Sequence, residues 1–165
     1  MRIKLDDLAV FQNICRKICI NIPESYVWSW DPKRQMAVVV LEAPDAELVF
    51  FPLFKEFSNH WNFSATSAAK ESITEYINAE FGVLPGQVFF TSNPLHNLVL
   101  FVAWWPWGNE GNVSMRVGLI PWNNFRLQDG FVYHCMKHWL PIVDSSLEQT
   151  EPDAAHSASS SDSTI

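Results

Sequence analysis

A chain of 165 residues, 48% of them hydrophobic and 18% charged, is long enough to bury a sizeable core and usually forms one domain. The formal net charge of −7 and the lack of any basic stripe exclude a typical nucleic-acid interface. The three cysteines are spaced neither as a zinc site nor as a disulfide framework. Because no apolar run could span a bilayer and no signal core starts the chain, we expect a cytoplasmic protein without a membrane span, metal or cofactor.

The first predicted element is a helix over residues 5–22. Its apolar residues recur at helical spacing along one arc, and Pro23 ends it. Cys15 and Cys19 have the i, i+4 spacing of a metal-binding or redox pair. Both lie on the apolar arc, so we interpret them as core residues.

Three strands are predicted next, forming a meander. The first two, residues 25–30 and 35–42, flank Asp31-Pro-Lys-Arg34, which has the composition of a type I turn. Residues 43–46 are predicted to be another turn, followed by a strand over residues 47–53. Pro52 lacks a backbone N–H, so this third strand is expected at an edge of the sheet or to end there.

Residues 55–66 show no clear periodicity and receive no assignment. Residues 67–81 are predicted to be a helix, with Thr66 or Ser67 as the N-cap and Gly82 just past its end. A short strand over residues 87–91 follows the turn signal Pro85-Gly86.

The centre of the predicted fold is a β-hairpin. Eight apolar residues run without interruption from Leu98 to Trp105, and Val113 to Ile120 return with alternating polarity. A strand that is apolar on both sides is typical of one covered on both faces of its sheet. We expect the first hairpin strand to be covered in this way and the second to lie nearer an edge.

The tip of this hairpin holds Trp104, Trp105 and Trp107, the candidate binding residues of the chain. Exposed tryptophans often mark contacts with proteins, sugars or other ligands. The alternative is that the tip folds over the core. Because side chains alternate along a strand, Trp104 and Trp105 should face opposite ways, so at least one of them is expected to be buried.

The last predicted helix spans residues 128–139 and carries the possible polar site, His134 and His138. Their i, i+4 spacing resembles that of metalloprotease helices, but Cys135 stands where the catalytic Glu of His-Glu-x-x-His belongs. No third ligand is close in sequence, although His60 or His96 could supply one in space. We therefore favour a partly exposed pair that binds no metal.

The composition changes at Asp144. From there to the C-terminus the chain has five acidic residues, no Lys or Arg, and few large apolar residues. We predict a globular α+β domain over residues 1–143 and a disordered, acidic, Ser-rich tail over residues 144–165.

These elements predict an α+β fold in the order αβββαβββα. One mixed or mainly antiparallel sheet of five or six strands would be packed by about three helices. No nucleophile or phosphate-binding motif is visible, so a non-enzymatic protein-interaction module (an adaptor, chaperone or inhibitor) is the leading hypothesis. It would use an apolar sheet face or the Trp-rich tip to bind a protein partner or a second copy of itself. The alternatives are a small-ligand or carbohydrate-binding module, and an enzyme with a His site assembled in space.

Overall fold

The described part of the chain contains three α-helices and one six-stranded sheet. The structure is a computed structural model, and it describes residues 2–62, 75, 86–108, 111–123 and 125–144. A 3-10 turn at Leu5–Leu8 precedes the first helix. The helices are α1 (Ala9–Ile20), α2 (Ala43–Glu56) and α3 (Phe131–Trp139); the strands are β1 (Ser29–Asp31), β2 (Met36–Leu41), β3 (Asn59–Asn62), β4 (Val88–Thr91), β5 (Leu98–Pro106) and β6 (Val113–Pro121). The predicted α+β class and its single sheet are confirmed.

The six strands form one antiparallel sheet in the order β1-β2-β6-β5-β4-β3. The predicted hairpin is its centre: β5 and β6 pair along nine residues, from Leu98 opposite Pro121 to Pro106 opposite Val113. The expectation that the second hairpin strand lies nearer an edge is wrong. β6 lies between β5 and β2, and the edges are β1 and β3, because β2 pairs with the open side of the hairpin.

One face of the sheet carries the main core, against α1, α2 and α3. Strand β5 contributes every second residue to this face, and all four of them are buried: Leu98, Leu100, Val102 and Trp104. Phe11, Cys15 and Ile18 of α1 and Val132, Cys135 and Met136 of α3 belong to the same cluster. Burying each of these large side chains stabilises the fold by about 1.5–3 kcal/mol before the entropy cost of ordering it.

The opposite face of the sheet also carries buried apolar side chains. They form a second cluster that contains no residue of α1, α2 or α3; its members are Met36, Phe89, Val99, Phe101, Ala103 and Ile120. The prediction that β5 is covered on both faces is therefore confirmed. Phe101 packs over Gly118 of the paired strand so closely that a Cβ at position 118 would lie 2.7 Å from its ring. Only glycine fits at that position without a shift of the ring.

Residues 43–56 form a helix, so the predicted turn over 43–46 and strand over 47–53 are wrong. Pro44 occupies the first turn, where its missing N–H costs nothing, and Asp45 suits the positive end of the helix dipole. Ala46, Val49 and Leu53 then recur at helical spacing and are buried. Pro52 lies inside the helix, and the burial of this stripe offsets the hydrogen bond that it removes. The meander is consequently a β1–β2 hairpin followed by a helix.

Of the remaining predicted segments, some are present with different bounds and others lie outside the described residues. The unassigned stretch 55–66 contains the end of α2 and strand β3, which pairs with β4 from Asn59 opposite Thr91 to Asn62 opposite Val88. The helices predicted over 5–22 and 128–139 are present with shorter bounds. The helix predicted over 67–81 lies outside the described residues apart from Glu75, and the predicted tail lies outside them apart from Asp144.

The helices of the described residues are short relative to the thickness of a bilayer. α2, the longest of these helices, has 14 residues. None of the helices in this part of the chain is both long and apolar enough to cross a membrane.

Candidate functional site

Trp104 and Trp105 lie on opposite faces of the sheet, as expected from strand geometry. Trp104 is 5% exposed and belongs to the main core. Trp105 is half-buried beside the second cluster, and the Arg116 guanidinium carbon lies 4.8 Å from the centre of its ring. That distance is typical of a cation–π contact. Because the two rings lie on opposite faces of the sheet, they cannot both contact one ligand.

Trp107 lies at the tip of the hairpin and is 44% exposed. Its backbone N–H donates a 2.7 Å hydrogen bond to the carbonyl oxygen of Asn112, which closes the turn. Gly108 and Gly111 have φ values of 41° and 73°, a backbone conformation that suits glycine. Of the three predicted binding residues, Trp107 is the one that the structure leaves open to solvent.

The outer side of α2 carries a second group of exposed apolar side chains. Leu48 is 68% exposed, Phe51 74% and Phe54 39%, and we call these three residues the α2 patch. The inner side of the same helix is buried in the main core through Ala46, Val49 and Leu53. A helix that is apolar on both sides is usually covered on both sides, so the α2 patch is unusual for a free surface.

Aromatic packing supports the α2 patch from beneath. The Phe50 ring lies 5.0 Å from the Phe54 ring and 6.2 Å from the Phe51 ring. Phe54 also lies 5.2 Å from Phe90 of β4 and 4.6 Å from His60 of β3. These ring contacts hold Phe54 against the sheet, and Phe50 packs beneath Phe51.

The hairpin tip and α2 are in contact. A Cβ built at Gly111 would lie 3.2 Å from the Cβ of Ala43, the first residue of α2. Phe50 lies 5.1 Å from Trp104, three positions before Trp107. The hairpin tip therefore contacts the start of α2, and we call the α2 patch together with Trp107 the aromatic end.

The α2 patch was missed by sequence reasoning because residues 47–53 were predicted to form a strand. A signal was present in the sequence. Glu42-Ala-Pro-Asp45 is a typical helix start, and Ala46, Val49 and Leu53 follow at helical spacing. A helical projection from that start leaves Leu48 and Phe51 on the solvent side.

His134 and His138 are both exposed on α3. The other histidines considered as a third ligand lie elsewhere: His60 packs on Phe54, and His96 is in the turn before β5 with a φ of 49°. In the described part of the chain, no three His, Cys, Asp or Glu side chains are grouped so that they could hold a metal ion. The geometry gives no support to a His site assembled in space.

The three cysteines are free thiols in or beside the main core. Burial, reinforced by the neighbouring Cys19 and Cys135, raises the pKa of Cys15 far above its ordinary value. Burial also raises the pKa of Cys19 to about 11 and that of Cys135 to about 12. Because the thiolate is the nucleophile, thiols held protonated in this way are poor catalytic groups at neutral pH.

Asp31 is the centre of a small polar network on the sheet face opposite the helices. Its Oδ1 accepts hydrogen bonds from the backbone N–H groups of Lys33 and Arg34, which fixes the predicted turn. Its Oδ2 lies 3.0 Å from Nη1 of Arg116. Burial acts to raise the pKa of Asp31, but the hydrogen bonds from Arg34 and Arg116 outweigh burial and hold it below its ordinary value.

The fold and its exposed surface define the protein as an α+β domain with an aromatic end. No protein-family model, curated protein sequence or solved structure matches the chain. The function of the chain is therefore inferred from its own geometry.

Proposed function

We propose that the protein is a non-enzymatic protein-interaction module, an adaptor, chaperone or inhibitor, that binds a protein partner through its aromatic end. The observation that carries this proposal is the 74% exposure of Phe51 on a helix whose opposite side is core. Covering an exposed Phe and Leu removes apolar area from water and is worth about 25 cal/mol per Å². A protein partner supplies a surface large enough to do so.

The sequence offered two candidate binding surfaces, an apolar sheet face and the Trp-rich tip, and the proposed surface is not the sheet face. An apolar sheet face was one candidate, but the central residues Val99, Phe101 and Ala103 are already buried in the single chain. The other candidate, the Trp-rich tip, contributes Trp107. The α2 patch extends that candidate surface beyond the tip.

The aromatic end suits a protein better than a sugar. A carbohydrate-binding platform needs aromatic rings on the same side of the protein. It also needs polar groups beside them that form hydrogen bonds with the sugar hydroxyls. Trp104 and Trp105 lie on opposite faces, and the α2 patch is built from Leu and Phe. Aromatic anchors of this kind are typical of the centres of protein–protein interfaces.

The test compares Phe51→Asp with a matched control, Val10→Asp. Val10 is 61% exposed on α1 and is not part of the aromatic end, so both variants place a new carboxylate on an exposed helix position. We expect both to keep the thermal stability of the parent chain. Affinity capture from the native host, followed by mass spectrometry, should identify a protein retained by the parent and Val10→Asp but at least about tenfold depleted with Phe51→Asp.

Self-association is the simplest form of the proposal and is measured separately. Sedimentation of the parent chain over a range of concentrations should show a dimer if the partner is a second copy, with Phe51→Asp remaining monomeric. The proposal is overturned if Phe51→Asp remains folded and behaves like Val10→Asp in both capture and sedimentation.

A further inference from the structure

A basic groove lies beside the N-terminal end of α3. It has a volume of about 1050 Å³ and is formed by residues 2–5, the loop 125–130 and the first turn of α3. Four basic side chains line it, Arg2, Lys4, Arg126 and His134, against one acidic side chain, Asp129. Its floor includes the apolar side chains of Leu5, Phe125 and Phe131.

The cations of this groove form no ion pair within the described part of the chain, although Asp129 lines the groove and Asp7 accepts a hydrogen bond from the backbone N–H of Lys4. The ion pairs there involve Lys17, Arg34, Arg116 and Lys137, and none includes Arg2, Lys4 or Arg126. The first turn of α3 contains no acidic residue, and its N-cap is Gly130, which has no side chain to cap it. The positive end of the helix dipole therefore adds to the field of the three cations.

The chain itself contains a segment of complementary charge. Residues 145–165 hold Glu148, Glu151, Asp153 and Asp162 and neither Lys nor Arg, although the chain as a whole has 11 Lys and Arg residues. This segment begins directly after Asp144, which contacts α3. Asp144 accepts hydrogen bonds from the Tyr133 hydroxyl and the Lys137 ammonium group on α3.

The spacing allows the segment to reach the groove. Lys137 and His134 are three residues apart on α3, which places them about one helical turn, or roughly 5 Å, from each other along the axis. From Asp144, four residues of extended chain reach about 13 Å to Glu148, and the later acids reach further. No rearrangement of α3 is required.

We propose that the acidic segment 145–165 binds in the basic groove of the same molecule. Its carboxylates pair with Lys4 and Arg126. The interaction is electrostatic and partly exposed, so it weakens as salt is added. This inference does not depend on the proposed function.

The test measures how fast a Glu-specific protease cleaves the full chain after Glu148. The variant Lys4→Glu/Arg126→Glu reverses the charge of the groove. The matched control, Arg16→Glu/Lys55→Glu, makes the same change of net charge at two exposed positions on α1 and α2. Thermal melts of all three proteins establish that they are folded under the assay conditions.

At about 20 mM salt we expect the groove variant to be cleaved roughly tenfold faster than the parent, with the control behaving like the parent. At about 0.5 M salt, where charges are screened within a few Å, the three rates should converge. Rates that are independent of protein concentration place the segment in the groove of its own molecule. Equal rates in the parent and groove variant at low salt, protection that persists at high salt, or protection that grows with protein concentration would each overturn the proposal.

Discussion

The ring of Phe50 packs 5.1 Å from the ring of Trp104, with the two planes tilted by 52°. This contact joins α2, which the sequence analysis assigned to a turn and a strand, to β5, which it correctly predicted as a strand. Phe50 also contacts Phe51 and Phe54, so the buried core and the exposed α2 patch share one aromatic network. A change in Trp104 is therefore expected to affect both stability and the support of the patch.

Trp104→Ala should destabilise the protein by about 3–5 kcal/mol, the range for truncating a buried aromatic ring. Trp105→Ala should cost clearly less, because that side chain is half-buried. Urea unfolding of both variants measures the difference. If Trp105→Ala proved the more damaging change, the assignment of Trp104 to the main core would be contradicted.

Trp107→Ala should leave stability nearly unchanged, because the ring is 44% exposed at the hairpin tip. If Trp107 is an anchor of the proposed interface, the same substitution should weaken partner binding by about 2 kcal/mol or more. A thermal melt and a binding titration with the captured partner measure both effects. Unchanged binding would confine the interface to the α2 patch, and unfolding would show that the tip belongs to the core.

Cys15→Ala should cost roughly 1–2 kcal/mol, because it removes a fully buried sulfur from the main core. The cost should depend on pH. The unfolded thiol ionises with a pKa of about 8.5, whereas burial keeps the folded thiol protonated to a much higher pH. Above a pH of about 9 the unfolded state loses a proton that the folded state retains, so the free energy of unfolding of the parent falls as the pH rises.

Cys15→Ala removes this contribution and should lessen the alkaline slope by up to about 1.4 kcal/mol per pH unit. Urea unfolding of parent and variant from about pH 8 to about pH 10.5 provides the comparison, because the unfolded thiol titrates within that range. Parallel slopes would contradict the raised pKa. Stoichiometric zinc in the purified protein, released by the substitution, would contradict the core interpretation itself.

Asp31→Asn should lower stability at neutral pH by about 1–3 kcal/mol, because it leaves the largely buried Arg116 guanidinium without its carboxylate. The pKa of Asp31 is lower in the folded state than in the unfolded state. The carboxylate therefore stabilises the fold above a pH of about 4, and this contribution is lost as the pH falls below that value. The difference between parent and variant should shrink in acid, whereas Asp6→Asn, at an exposed position, should have little effect at any pH.

A chain that ends at Val143 should keep the melting temperature of the full chain within a few degrees, on the order of a surface change. Val143 donates its backbone N–H to the carbonyl of Trp28, and buried Ile142 bridges to the same residue, so both contacts survive. A chain ending at Leu140 lacks Ile142 and should be destabilised by about 2 kcal/mol or more. Loss of cooperative unfolding in the chain that ends at Val143 would mean that the tail is part of the domain.

The sequence by itself determined the elements whose patterns are local and strong. Uninterrupted apolar residues from Leu98 to Trp105 predict a strand covered on both faces, and helical periodicity predicts α1 and α3. The alternation of side chains along a strand also predicts that Trp104 and Trp105 lie on opposite sides of the sheet. These features depend on backbone geometry and on the next few residues, which the sequence contains.

Only the tertiary structure decided the position of β6 and the conformation of residues 47–53. Strand order depends on which distant strand pairs with β6, and its own residues do not reveal that β2 does so. A short apolar run such as 47–53 satisfies either a strand or a helix, and packing of Val49 and Leu53 against the sheet selects the helix. The same packing turns Leu48 and Phe51 towards solvent, because a helix with one side in the core must present its other side outward.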